Sequence, residues 1–166
     1  MSPDRRADPA LVIRRAEASD APTLGLMHAE VFLELYFGVL PESTLAQLSP
    51  EAMAALWHRF VSRGERYVQW VAELGGDPVG FVGTGPGREI GYEAGTELYF
   101  LVVAPGVRRR GIARALLRQA DPDYLWVWEE NRAARTFYRK QKFFPDSVAR
   151  DGSLFGAPLR EVRMSR

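Results

Sequence analysis

The chain has 166 residues, 46% hydrophobic and 11% aromatic, enough for one domain with a real core. Its net charge of +1 gives no overall bias toward nucleic acid or membranes. Without cysteine, disulfides, thiolate chemistry and cysteine zinc sites are excluded, and His28 and His58 lie far apart without a metal-ligand motif, so no metal site is expected.

Residues 1–9 are polar and contain proline, and read as a loose arm before one domain at 10–166. No stretch approaches ~20 continuous apolar residues, and a cytoplasmic location is the default expectation. Residues 11–15 form a candidate first strand. Ser19 or Asp20 can cap a helix over about 21–35, with Pro22 in its first turn and Leu24, Met27, Val31 and Leu35 on its apolar side. Gly38 and Pro41 break the pattern after it. A second helix starts at Ser49-Pro50-Glu51, buries Met53, Leu56, Trp57, Phe60 and Val61, and ends by Gly64. Residues 67–74 and 78–83 read as a hairpin turned by Gly75-Gly76-Asp77. Gly83-Thr84-Gly85-Pro86-Gly87 reads as a flexible connection, without dinucleotide-binding spacing.

Residues 98–103 are a short apolar run that reads as a buried strand, stopped by Pro105 and Gly106. From Gly111 the pattern is helical, with Ala113, Leu116, Leu117 and Ala120 in phase, until Asp121-Pro122. Arg108, Arg109, Arg110 and Gly111 lie between. A strand running through a basic, glycine-bearing turn into a helix suits a phosphate, because the first helical turn has unpaired N–H groups and the positive end of the dipole. By its parts alone the same turn also reads as a solvated surface. Residues 124–128 form a strand, and Asn131 caps a helix that carries Asn131, Ala134 and Tyr138 on one face. Residues 143–148 and 160–164 are closing strands with Asp151-Gly152 as their turn. Basic residues crowd between Arg108 and Lys142, which fits a small polyanion better than a long duplex.

Two motifs carry a resemblance. Arg108-x-x-Gly111-x-Ala113, after a strand, resembles the acyl-CoA signature of the GNAT superfamily of N-acyltransferases. Asn131 to Phe143, NRAARTFYRKQKF, resembles the family's N-x-x-A-x-x-F-Y-x-x-x-G-F helix. The resemblance extends in element order over the chain after residue 10. It implies an α+β fold: a mixed, mostly antiparallel sheet of about seven strands flanked by four helices. The chain departs from the family pattern at Lys142, where glycine is usual at a left-handed helix exit.

The resemblance implies sites as well. Leu101, Val102 and Val103 would offer backbone groups to the pantetheine arm of CoA, in a gap between two splayed strands. Arg109, Arg110, Gly111, Ile112 and Ala113 would meet the diphosphate mainly through N–H groups, with Arg108 adding its side chain. Asn131, a helix cap, would also lie near the cofactor. Tyr138 would protonate the departing thiolate, or else be a packed tyrosine with its hydroxyl at the surface. Glu97 would deprotonate the amine, or else be a solvated strand end, with Glu93, Glu30, Glu34, Tyr99 and Tyr36 as rivals. Phe32, Tyr36, Phe37 and Trp57 are candidate walls of an acceptor pocket.

The function implied is acetyl transfer from acetyl-CoA to a primary amine by direct attack, without a metal. A non-catalytic acyl-CoA-binding module is the main alternative, and a nucleic-acid binder a third reading. Partners are therefore acetyl-CoA and an amine, with neither nucleic acid nor membrane. The family is often dimeric, so a homodimer is one assembly to consider.

Overall fold

The computed structural model describes residues 10–89, 91 and 95–166. The arm at 1–9 and the rival base Glu93 lie outside the described residues. Seven strands form one sheet in the order β1-β2-β3-β4-β5-β7-β6. They are β1 (Leu11–Arg15), β2 (Val68–Leu74), β3 (Asp77–Pro86), β4 (Thr96–Val103), β5 (Tyr124–Trp128), β6 (Phe144–Leu154) and β7 (Ala157–Ser165). All neighbours are antiparallel except β4 and β5. Five α-helices are described: α1 (Ala21–Tyr36), α2 (Glu42–Leu45), α3 (Pro50–Val61), α4 (Ile112–Ala120) and α5 (Arg132–Lys140). The expected α+β sheet is present, and α2 makes five helices rather than four.

Alternation along β4 sends its side chains to two cores. Phe100 and Val102 join Leu24, Trp57, Val71 and Phe81 beneath α1 and α3. Leu98, Leu101 and Val103 pack with Ile112, Leu116 and Leu117 of α4, Leu125 and Val127 of β5, and Tyr138 of α5. Helices therefore cover both faces. The α3 start is as expected: Ser49 accepts the Ala52 N–H at 3.1 Å, with Pro50 as first helical residue.

The site depends on a fault in the sheet. Against β3, the register of β4 slips by one residue at Gly83/Thr84, so Tyr99 is the extra residue of a bulge. A bulge bends its strand. On its other side β4 pairs β5 only at Glu97↔Tyr124 and Leu98↔Leu125. From Tyr99 to Val103 the β5-side edge of β4 has no strand partner among the described residues.

Several local expectations are corrected. Residues 83–86 are not a connection but the end of β3. The Phe100 ring lies 2.2 Å from where a Cβ on Gly83 would sit, and Tyr99 lies 2.5 Å from that point on Gly85, so glycine here makes room for rings. The last hairpin turns at Phe155-Gly156, not Asp151-Gly152: Asp151 pairs Arg160 and Gly152 pairs Leu159 within the ladder. Asp20 does not cap α1. Its carboxylate accepts two bonds from Arg14 at 2.8 Å and the Glu17 N–H at 2.7 Å. Lys142 adopts the left-handed φ of 71° at the exit of α5, a conformation that glycine takes more readily.

Candidate active site

The gap between β4 and β5 opens into a cleft of about 1110 Å³ and a smaller pocket of about 320 Å³. Phe32, Leu101, Asn131, Ala134 and Tyr138 line both, so the two spaces share a wall. Asn131, Ala134 and Tyr138 reach that wall together by the helical spacing of α5. Asn131 accepts the Ala134 N–H at 3.0 Å, which starts the helix, and residues three and seven positions on lie on the same face.

One end of the large cleft is the turn into α4. Arg109 has φ 66° and Gly111 φ 83°, both left-handed. Gly111 is the N-cap and supplies no side-chain acceptor, so the first amides of α4 are left without a capping partner. A Cβ on Gly111 would meet nothing within 4 Å, so glycine is needed there for its φ and not for space inside the protein. Arg108, Arg109, Ile112, Ala113 and Arg114 complete this end, with Arg132 and Lys140 across from them on α5. Unpaired amides, a dipole and several cations fit an anion such as a diphosphate. The partnerless edge of β4, with Leu101, Val102 and Val103 lining the cleft, fits an extended amide-bearing chain. Exposed Arg110 is the one expected turn residue that does not line the cleft. In the sequence Arg114, Arg132 and Lys140 stand out only as part of the basic stretch between Arg108 and Lys142; their place on the cleft wall comes from the fold.

Arg108 is engaged across the cleft rim. It donates two bonds to Glu34 of α1, at 2.8 and 2.7 Å. These bonds and the adjacent charge hold the Glu34 carboxyl below the ordinary range.

Tyr138 is 8% exposed and makes no hydrogen bond to another described residue. Burial pushes its phenol well above the usual value, so it keeps its proton at neutral pH. Phe137 packs against the core formed with α4.

Glu97 is corrected. It is fully buried, at 0% exposure, and lines neither space. Its carboxylate accepts from Arg88 Nε at 3.1 Å, the Arg88 backbone N–H at 3.0 Å and the Tyr124 hydroxyl at 2.8 Å. Arg88 Nη2 adds an ion pair at 2.5 Å. Burial works to raise its pKa, but these donors and the guanidinium hold it below the ordinary range. Burial and the bond to Glu97 push Tyr124 up to about 12. So buried and paired, Glu97 is not the solvated strand end that the sequence also allowed.

The small pocket has a different wall. His28, Phe32 and Tyr36 come from α1, Leu56 and Phe60 from α3, Tyr99 and Phe100 from β4, Trp126 and Trp128 from β5, Leu154 and Phe155 from the last hairpin, and Glu161 from β7. Phe32 and Tyr36 were expected here. Phe37 is 81% exposed and Trp57 is 0% exposed in the core; neither lines it. Of the rival bases, Glu30 is exposed on α1, Glu34 is paired with Arg108, and Tyr99 donates to the Pro86 carbonyl at 2.7 Å. Burial and the Glu161 charge push Tyr36 up to about 12. Glu161 is the one carboxylate among the described lining residues, and sequence reasoning did not single it out. Arg150 Nε donates to its Oε2 at 2.8 Å.

No group of three or more His, Asp or Glu side chains among the described residues could hold a metal ion. No helix among them is long and apolar enough to cross a membrane.

Comparison with known proteins agrees with this geometry. Residues 65–144 match the family model of the acetyltransferase (GNAT) domain. A probable N-acetyltransferase of Mycobacterium tuberculosis is 32% identical over 142 residues, 81% of this chain and 80% of that protein. Among solved structures, the PaiA N-acetyltransferase of Thermoplasma acidophilum in complex with coenzyme A has a TM-score of 0.68 at 19% identity, over 95% of this chain and 99% of that one. A putative acetyltransferase of Salmonella typhimurium with its cofactor acetyl-CoA has a TM-score of 0.66 at 19% identity, over 95% and 93%. At these identities the two structures speak for the fold; the family model and the mycobacterial relative carry the assignment. The chain belongs to the GNAT superfamily of acetyltransferases and is an acyltransferase.

Proposed function

We propose that the chain transfers an acetyl group from acetyl-CoA in the large cleft to a primary amine held in the small pocket. One observation carries this reading: Tyr138, which keeps its proton and makes no hydrogen bond to another described residue, stands on the wall that the two spaces share. Backbone amides at the start of α4, with Arg108, Arg109 and Arg114, hold the diphosphate. The free edge of β4 at Leu101, Val102 and Val103 holds the pantetheine arm as an added strand would, and its N–H groups polarise the thioester carbonyl. Asn131 keeps α5 started at the junction.

The amine nitrogen attacks the thioester carbon, the C–N bond forms and the C–S bond breaks, and the sulfur leaves with the electron pair. Tyr138 gives that sulfur its proton. The amine's proton goes to Glu161, directly or through water, because Glu161 is the carboxylate on the pocket wall and Glu97 is sealed away. Alignment of the two reactants supplies much of the rate. The test is free-thiol release from acetyl-CoA in the presence of varied amines. Amine-dependent release, abolished by Tyr138→Phe, supports transfer. Acetyl-CoA binding with no release for any amine would leave a binding module instead.

A further inference from the structure

Two residues of the small pocket's wall, His28 and Trp126, each carry a buried ring nitrogen without a partner among the described residues, Nε2 and Nε1 respectively. Buried polar groups are nearly always satisfied, so each such orphan asks for a ligand. His28 is 3% exposed, and its tautomer is set by its other nitrogen. Trp57 Nε1 lies 3.3 Å from His28 Nδ1, and an indole N–H can only donate. Nδ1 is therefore an acceptor, and the neutral ring carries its proton on Nε2. Phe32 meets this ring edge-on at 4.3 Å, and Phe81 and Phe100 lie at 5.3 and 5.6 Å, so its surroundings are aromatic. Both orphans are thus donors. They call for oxygen acceptors on whatever fills the pocket.

The rest of the wall limits the occupant further. Glu161 is the one charged side chain among the described lining residues, Arg150 already holds its Oε2 at 2.8 Å so that at most one further cation can be met there, and the remainder of the wall is dominated by rings. One carboxylate can balance one ammonium, and aromatic faces favour both an apolar frame and a single cation. An acceptor with several ammonium groups would leave the others desolvated without partners, at a high cost. The volume of about 320 Å³ suits a single-ring molecule, at the small end of ligand sites.

We propose that the acceptor is a small aromatic or bulky apolar primary amine carrying an sp² oxygen, carbonyl or carboxylate, and that the N–H groups of His28 and Trp126 read that oxygen. The proposal deepens the acetyl-transfer reading and rests on it for the word acceptor. Glu161 receives the ammonium, the rings receive the apolar body, and the donors select for the oxygen. His28 acts here as a positioning and specificity residue through a donated bond; with its proton on Nε2 it is not set up as a base.

The experiment uses the full chain with four probes: phenylalaninamide, phenylalanine, phenethylamine and spermidine. Thiol release is measured at saturating acetyl-CoA, and binding is measured by calorimetry to the CoA-saturated protein. A matched hydrogen bond in a buried site is worth about a factor of 10 or more. Phenylalaninamide or phenylalanine should exceed phenethylamine by at least ~10-fold in kcat/KM and in affinity, and spermidine should fail. Whichever of the first two wins names the carbonyl or the carboxylate. Trp126→Phe, shown folded by its melting curve, should bring that ratio toward one. Equal treatment of phenethylamine and the oxygen-bearing probes overturns the proposal, as does efficient turnover of spermidine or a ratio unmoved by Trp126→Phe. Binding of none of the probes also overturns it. Selective binding without any turnover would defeat acetyl transfer and leave the ligand class standing; turnover of some amine without selectivity would do the reverse.

Discussion

Arg88 and Glu97 form an ion pair with the carboxylate buried and the guanidinium partly exposed, in which the carboxylate takes the Arg88 Nε, Nη2 and backbone N–H together, while Tyr124 supplies a further bond from the adjacent strand. The pair closes the end of β4 where it still pairs with β5. Its role is to hold the two strands together at the root of the gap. Glu97→Gln should therefore cost stability, about 2–4 kcal/mol, with the arginine's partial exposure keeping it at the lower end. The pH dependence is set by the lowered carboxylate pKa. The folded state binds the proton less readily than the unfolded one, so stability is fully present above the ordinary carboxylate value near ~4.3 and is lost as pH falls from there through the lower folded value. Melting curves of the two proteins across that range check this, and the variant's curve should be flatter. Its kcat at a temperature where it is folded should stay within about threefold of wild type, because a group off the reaction path supplies no proton transfer. A much larger loss in a fully folded variant would return Glu97 to the mechanism.

Tyr138→Phe keeps the ring in its packed position and removes only the hydroxyl. Turnover at saturating acetyl-CoA should fall ~10²–10⁴-fold, with acetyl-CoA affinity little changed, since the proton is needed as the C–S bond breaks. Thioesters with more acidic thiols should lose less. The phenol has no hydrogen-bond partner among the described residues to abandon, so the melting temperature should stay within about 2 °C, a shift under ~1 kcal/mol. A rate within about twofold of wild type would make Tyr138 a packing residue.

In the proposed reading, Gly111 and Arg108 act on the same ligand in different ways. Gly111→Glu puts a side chain on a residue at φ 83° and a negative charge at the amide cluster. It should strain the turn by about 1 kcal/mol and weaken acetyl-CoA binding by at least ~10-fold in calorimetry. Arg108→Ala removes an exposed ion pair with Glu34 and should change stability by under about 1 kcal/mol. Because the guanidinium is already shared with Glu34, Glu34→Gln should tighten acetyl-CoA binding modestly, while Arg108→Ala weakens it. Opposite signs for these two substitutions are the signature of that competition.

His28 supplies a second, separate pH dependence. Burial pushes its pKa down to about 4, below the ordinary value near ~6.5. The unfolded chain therefore gains a proton first as pH falls. The stability associated with the neutral buried ring is complete above ~6.5 and is lost progressively down to about 4, by about 3 kcal/mol in all. Nitrogen chemical shifts of the imidazole should show the Nε2–H tautomer through neutral pH with titration near 4. His28→Phe should remove the part of the acid sensitivity between ~6.5 and 4 while leaving the lower-pH part due to Glu97.

The features legible in the sequence are those whose physics is local. The turn from β4 into α4 is one run of neighbouring residues, and its glycine and arginines can be read from spacing alone. The face of α5 that presents Asn131, Ala134 and Tyr138 comes from helical period, and the sheet's content of strands is equally local. Misreadings came where a local signal met a distant partner. Asp151-Gly152 has turn composition, yet Glu161 on the neighbouring strand fills the space over Gly152, and the ladder runs on to Phe155-Gly156. The glycines of β3 look like a loop until the rings of Tyr99 and Phe100 are laid over them.

By itself, then, the sequence determined the element order, the α4 turn and the motif-bearing helix, because each depends on contacts within a few residues along the chain. Tertiary structure alone decided which carboxylate is sealed and which is open. Glu97 meets Arg88 and Tyr124 only when β3, β4 and β5 lie side by side. Glu161, Trp126 and His28 meet around one cavity only when β5, β7 and α1 are assembled. The tautomer of His28 is set by Trp57, 29 residues away. The reason is physical: burial and pairing set the charge and hydrogen-bonding state of a side chain, and both are properties of its neighbours in space, which the order of residues along a chain does not display.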